Sequence, residues 1–160
     1  MNVKQLTLMS ILCAAIALLT MGVSLKISQG FMNFGDILVM SFGLLFAPQW
    51  ALLAGIGAAL ADILLGYGQY AIFTFVIKGF EAFLIALLFM RTKTRLNVLY
   101  FILAGGLMAL GYFGTEIILY GSIAIALPNL PYNLLKGLVC AIIAYLIQPL
   151  VLKLKHSYFK

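Results

Sequence analysis

Runs of about twenty apolar residues recur along the whole chain, and a helix of that length crosses a hydrocarbon core about 30 Å thick. Charge is correspondingly scarce: 9% of the 160 residues are charged and 65% are hydrophobic, against about 25% charged in a soluble domain. No polar stretch exceeds about ten residues, which leaves no room for a separate soluble domain. These features specify one all-α integral membrane domain over residues 1–160. The net charge of +6 does not point to nucleic acid, because the basic residues form no amphipathic face.

The apolar periodicity predicts six transmembrane helices, over about 5–26, 36–47, 49–66, 70–90, 98–121 and 132–152. They are joined by "SQGFMNFG", "APQW", "GYGQ", "RTKTRLN" and "IALPNLP". The second is short for an upright span. Lys4 precedes the first run as in a signal peptide, but no small-x-small cleavage site follows and more spans come after it, so it reads as a retained helix. With both termini cytoplasmic, Lys4, Arg91, Lys93, Arg95, Lys153, Lys155 and Lys160 are all inside, seven of the ten basic residues. The positive-inside rule favours that orientation, with loops 27–35, 66–69 and 122–131 facing outward.

All four acids, Asp36, Asp62, Glu81 and Glu116, lie in or beside spans. A charge at the bilayer centre costs at least about 2.5–3.5 kcal/mol and usually faces a protein interior or a cavity. At 1.5 Å per residue, Lys78 and Glu81 lie about 12 and 16 Å below the outer start of the fourth helix, with Glu116 and Lys136 about 7 and 6 Å deep in their own helices. The outer half is therefore polar and the inner half apolar, as in a cup open to the outside. Tyr70, Thr74, Lys78 and Glu81 share one helix face; so do Tyr112, Glu116 and Tyr120; Asn129 and Tyr132 precede Asn133 and Lys136, which share another. Aromatics stack on a flat ring while amides and charges bond its substituents, which suits a small heteroaromatic ligand.

A purely structural reading of the same residues pairs Lys78 with Glu81 at i, i+3 and Glu116 with Lys136 across helices. Asp36 reads most simply as the N-cap of the second helix, and Asp62 as either a pocket member or a cap. Cys13 and Cys140 fall within spans as small packing residues. His156 is the sole histidine, so no metal site or cofactor is expected. Small residues one turn apart, Gly55 and Ala59, Ala54 and Ala58, Gly105 and Ala109, suit close helix packing in lipid. In the first helix "SILCAAIALL" offers Ser10 with Ala14 and Cys13 with Ala17, a face available to another membrane protein. There is no P-loop, no G-x-S-x-G and no H-E-x-x-H, which argues against an enzyme. No inverted repeat is visible, so a self-sufficient carrier is disfavoured. A binding cup without a motor implies a partner that supplies one.

Three stretches, "NFGDILVMSFGLLFAPQWALLAGIGAALADIL", "FTFVIKGFEAFLIALLF" and "GYFGTEIILYGSIAIALPNLPYNLLKGLVCAIIAYL", together about 33–146, resemble the substrate-binding S components of energy-coupling factor (ECF) transporters, which import vitamins in prokaryotes. They look most like the branch that takes hydroxymethylpyrimidine, pyridoxine-like or related vitamin precursors. The resemblance implies six helices in a prokaryotic cell membrane, and a ligand held near the outer face by the first loop, where Asn33 lies, and by the fourth to sixth helices. The pattern "KGxE" falls on Lys78 and Glu81, "GYFxxE" on Tyr112 and Glu116, and "PxNxxQ" on Pro131, Asn133 and Lys136, with Lys in place of the expected Gln. It also implies a transmembrane coupling (T) component and two ATPase subunits as partners, with Ser10, Cys13, Ala14 and Ala17 standing where the family has its A-x-x-x-A docking face. Two rival classes are a proton-coupled drug or ion exporter that uses Glu81 or Glu116, and a membrane scaffold that binds neither ligand nor ATPase.

Overall fold

The computed structural model describes residues 3–27, 30–92 and 95–158, with no side-chain description for 25–32. Lys93 and Lys160, counted above among the cytoplasmic cations, lie outside the described residues. Helix α1 (Val3–Gly22) leads into a two-stranded antiparallel ribbon, β1 (Ser24–Ile27) and β2 (Gly30–Asn33), in which Ser24 faces Asn33. This corrects two expectations. The first helix stops at Gly22 rather than near 26, at a residue with poor helix propensity. The first loop is partly strand, its backbone groups satisfied across the ribbon.

Next come α2 (Gly35–Leu45), α3 (Pro48–Ala51) and α4 (Ala54–Leu64); the expected third helix is interrupted at Leu52 and Leu53. Pro48 begins α3 where its missing N–H costs nothing. A 3₁₀ turn at Gly68–Tyr70 opens α5 (Ala71–Thr92), followed by α6 (Val98–Tyr120), α7 (Ile123–Ala126), a second 3₁₀ turn and α8 (Leu130–Tyr158). Asn97 caps α6, its side chain accepting from the Leu99 N–H at 3.1 Å. Gly121 ends α6 in the left-handed region at φ 65°, which a side chain would resist.

Among the described residues four helical stretches are long and apolar enough to cross a membrane: Val3–Gly22, Gly68–Thr92, Val98–Tyr120 and Ile123–Tyr158. Gly35–Leu45 and Pro48–Leu64 are apolar but shorter. The reason α2 can be short lies in its position. It packs against α1, α5 and α8, and nine of its eleven residues are buried. Enclosed by these neighbours, it is apolar round its circumference apart from Asp36 and Ser41. Val39, Met40, Phe42 and Leu44 pack with Ile85, Phe101 and Ala144 into the core. The outside of the bundle carries large exposed side chains such as Ile72, Leu99, Leu103 and Ile118, as a lipid-facing surface requires.

Helices approach where side chains vanish. Gly105 on α6 and Gly137 on α8 face each other, and a Cβ on either would stand 2.7 Å from the other's carbonyl oxygen. A Cβ at Gly55 would lie 2.1 Å from the Phe75 carbonyl oxygen of α5, and one at Gly57 2.2 Å from that of Cys13 in α1. Lipid tails are as apolar as leucine, so close packing rather than hydrophobic gain holds such helices together. Gly105→Ala is therefore expected to lower the thermal unfolding midpoint in detergent. Gly106→Ala, next to it but with nothing within 4 Å of its Cβ, should leave the midpoint unchanged or raise it. Equal effects of the two would contradict the α6–α8 contact.

Candidate functional site

The helices alternate in direction, which brings the ends of α1 and α4 and the starts of α2, α5 and α8 to one end of the bundle, along with the last turns of α6. The polar side chains gather there. Lys78 is central: its Nζ donates to Asp36 Oδ1 and, at 3.0 Å, to Glu81 Oε2. The second Asp36 oxygen faces Lys136 Nζ at 3.4 Å. One carboxylate thus ties a lysine of α5 to a lysine of α8. The four residues are 1–4% exposed and their formal charges cancel. Removing one partner from a buried pair typically costs about 3–5 kcal/mol, because it strands the other charge.

Above this quartet lies a polar cavity with about 40 Å³ of solvent-sized space, room for a few waters at roughly 10–15 Å³ each. Its wall includes Asn33, Tyr70, Thr74, Lys78, Tyr112, Glu116, Asn133 and Lys136, eight of the residues anticipated from sequence. Tyr112 stands between the two cations, its ring centroid 5.5 Å from Lys78 Nζ and 5.3 Å from Lys136 Nζ. Its hydroxyl is 3.0 Å from Thr74 Oγ1. The Asn129 amide donates to Glu116 Oε1 at 2.9 Å. Asn33 Oδ1 accepts from the Gly35 N–H at 2.9 Å, fixing the entry into α2.

Two anticipated residues are not on the wall. Glu81 is beneath it, reaching the cavity only through Lys78. Tyr120 stands behind Tyr70, accepting its hydroxyl at 3.1 Å. Asp36, expected as an N-cap, is a correction: the cap position is Phe34, whose side chain makes no capping bond, and Asp36 turns inward to the lysines. The Glu116–Lys136 pair of the structural reading does not form; Lys136 pairs with Asp36 instead. Asp62, left open between pocket and cap, lines the cavity. Sequence reasoning missed Thr20, Val39, Ala58 and Tyr67. Only Tyr67, in "GYGQ", carried a usable signal, an aromatic one turn before Tyr70.

The residues proposed for docking divide. Ser10 and Ala14 are exposed on α1, whereas Cys13 is half-buried, its Sγ donating to the Leu53 carbonyl at 3.3 Å, and Ala17 is buried. Of this set only Ser10 and Ala14 face outward. Among the described residues no group of three metal-ligating side chains exists.

Comparison with known proteins gives two matches. The chain is 40% identical over 111 residues to a Pyrococcus woesei protein described as an uncharacterized protein in the gap 3′ region, an alignment covering 67% of this chain and 74% of the relative. No solved structure matches. Residues 1–154 match the family model of the S component of ECF-type riboflavin transporters. S components are membrane-embedded subunits of vitamin importers and not enzymes, and this chain, matched over nearly its whole length, belongs to the family of ECF-type riboflavin transporter S components.

Proposed function

We propose that this chain is the substrate-specific subunit of an ECF importer in a prokaryotic cell membrane, and that the cavity holds a small single-ring vitamin or vitamin precursor of the pyridoxine or hydroxymethylpyrimidine type. The observation that carries the reading is Tyr112 between Lys78 and Lys136 on the wall of a buried polar cavity, with amide and carboxylate groups around it. The ring offers a stacking surface, and the polar groups offer bonds to substituents. With about 40 Å³ of space, any ring must displace part of the wall, and a single ring demands the least displacement. Riboflavin is the second reading, favoured by the family match over residues 1–154. That match does not favour the exporter.

The six apolar segments are proposed to form a six-helix membrane bundle with both termini cytoplasmic. In support, Lys4, Arg91, Arg95, Lys153 and Lys155 belong to the ends of α1, α5, α6 and α8 remote from the cavity, where the positive-inside rule wants them. The cavity then faces outward, lipid covers the apolar belt, and a T component with two ATPase subunits supplies the motor. On this reading the T component docks on the exposed Ser10–Ala14 face of α1.

Mass spectrometry of small molecules released from gently purified protein tests the substrate class. A stoichiometric pyridoxine- or pyrimidine-like compound is expected; stoichiometric riboflavin would favour the second reading. A protein that carries nothing and binds neither class would refute vitamin binding. Glu81→Gln is expected to lower the thermal midpoint, as loss of one partner of a buried pair does, without abolishing folding, and to lower ligand affinity, since it loosens Lys78 at the cavity wall; unchanged affinity in the folded variant would remove Glu81 from the site. Ala14→Trp should abolish co-purification with the T component and leave ligand binding as it was. Retained co-purification would place the docking face elsewhere.

A further inference from the structure

Among the described residues, six charged side chains surround or underlie the cavity, and these six do not balance. Asp36 and Glu81 are matched by Lys78 and Lys136. Asp62 and Glu116 are left over, and among the described residues neither has a cation at ion-pair distance. Both line the cavity and are 5% and 3% exposed. One oxygen of each, Asp62 Oδ2 and Glu116 Oε2, is fully buried and has no hydrogen-bond partner among the described residues. A buried carboxylate oxygen without a donor is unfavourable in the free protein, and it rewards any ligand that brings one. Both of these atoms are carboxylate oxygens, one from α4 and one from α6, on a wall that also carries Lys78 of α5 and Lys136 of α8.

Resting on the vitamin-binding reading above, we propose that the ligand carries an amino group or a positive charge, and that Asp62 and Glu116 receive it. The site therefore selects among single-ring compounds by charge. An amine supplies N–H donors to the orphaned oxygens and neutralises part of the surplus. A hydroxyl in the same place supplies one donor and no charge. Riboflavin, with one N–H on its tricyclic ring and four hydroxyls on its ribityl chain, supplies neutral donors only and no charge. Charge-assisted hydrogen bonds are about twice as strong as neutral ones, so the preference is large enough to measure.

Pyridoxamine and pyridoxine form a matched pair that differs by aminomethyl against hydroxymethyl at one ring position. Isothermal titration of the full-length protein with both, alongside thiamine, 4-amino-5-hydroxymethyl-2-methylpyrimidine and riboflavin, tests the assignment. Pyridoxamine should bind tighter than pyridoxine by about tenfold or more, the scale of one charge-assisted bond. Glu116→Gln and Asp62→Asn should each shrink that ratio, while the thermal midpoint of the ligand-free variants holds or rises because an orphaned charge is gone. Equal affinities, or a ratio unchanged in both folded variants, would overturn the charge selection and leave vitamin binding standing. Binding of riboflavin alone would overturn both the charge selection and the single-ring reading. Binding of none of the five would overturn the vitamin-binding reading itself.

Discussion

The Asp36 carboxylate accepts Lys78 on one oxygen and faces Lys136 on the other, joining α2, α5 and α8 at one buried point. The two buried lysines depend on it. Lysines inside a membrane bundle persist only when paired, and this acid makes both tolerable. It sits in the first turn of α2, where the partial positive charge of the helix terminus also favours an anion. At the other end of the same helix, Lys155 Nζ donates to the Leu44 carbonyl at 2.7 Å, a cation where the helix dipole is negative. The central helix is thus held electrostatically at both ends and by apolar packing along its length.

This arrangement separates two kinds of cohesion. Where helices approach most closely, glycines at 43, 55, 57, 105 and 137 let backbones meet directly, and packing substitutes for the hydrophobic drive that lipid cannot supply. At the cavity end, charges and hydrogen bonds hold the helices. A polar network there can exchange a protein partner for a ligand partner, which tight glycine contacts cannot do without separating helices. On the proposed reading, the same bundle has close backbone contacts between helices and one end whose polar contacts a ligand can replace.

Membership of the S-component family sets the role of the chain as a transport subunit; on the proposed reading the side chains of the cavity carry the specificity. A family description names one vitamin, but the charges described at this site are its own: two lysines and three acids on the wall of a narrow space, Glu81 beneath it, and Tyr67, Tyr70 and Tyr112 beside them. Fold and role are shared across a family through backbone packing, whereas ligand choice is written in a few side chains that packing does not constrain.

Much of this architecture was legible in the chain itself. Uninterrupted apolar runs dictate membrane helices, because unsatisfied backbone groups are intolerable in hydrocarbon. Helical spacing alone put Tyr70, Thr74 and Lys78 on one face and Tyr112 with Glu116 on another, since residues three or four apart must be neighbours. The Lys78–Glu81 contact was legible for the same reason. Partnerships between helices were not. Asp36 looked like a cap because local sequence cannot tell that α2 is enclosed on every side, and Glu116 was matched with Lys136 because helix rotation is invisible in one dimension. Which face of α1 turns outward, that of Ser10 and Ala14, followed from where Gly57 lets α4 approach. The sequence by itself determined which segments are helical and which residues share a stripe, through periodicity. Only the tertiary structure decided which charges meet and which two acids have no cation beside them among the described residues, because those depend on distances between helices that no local pattern encodes.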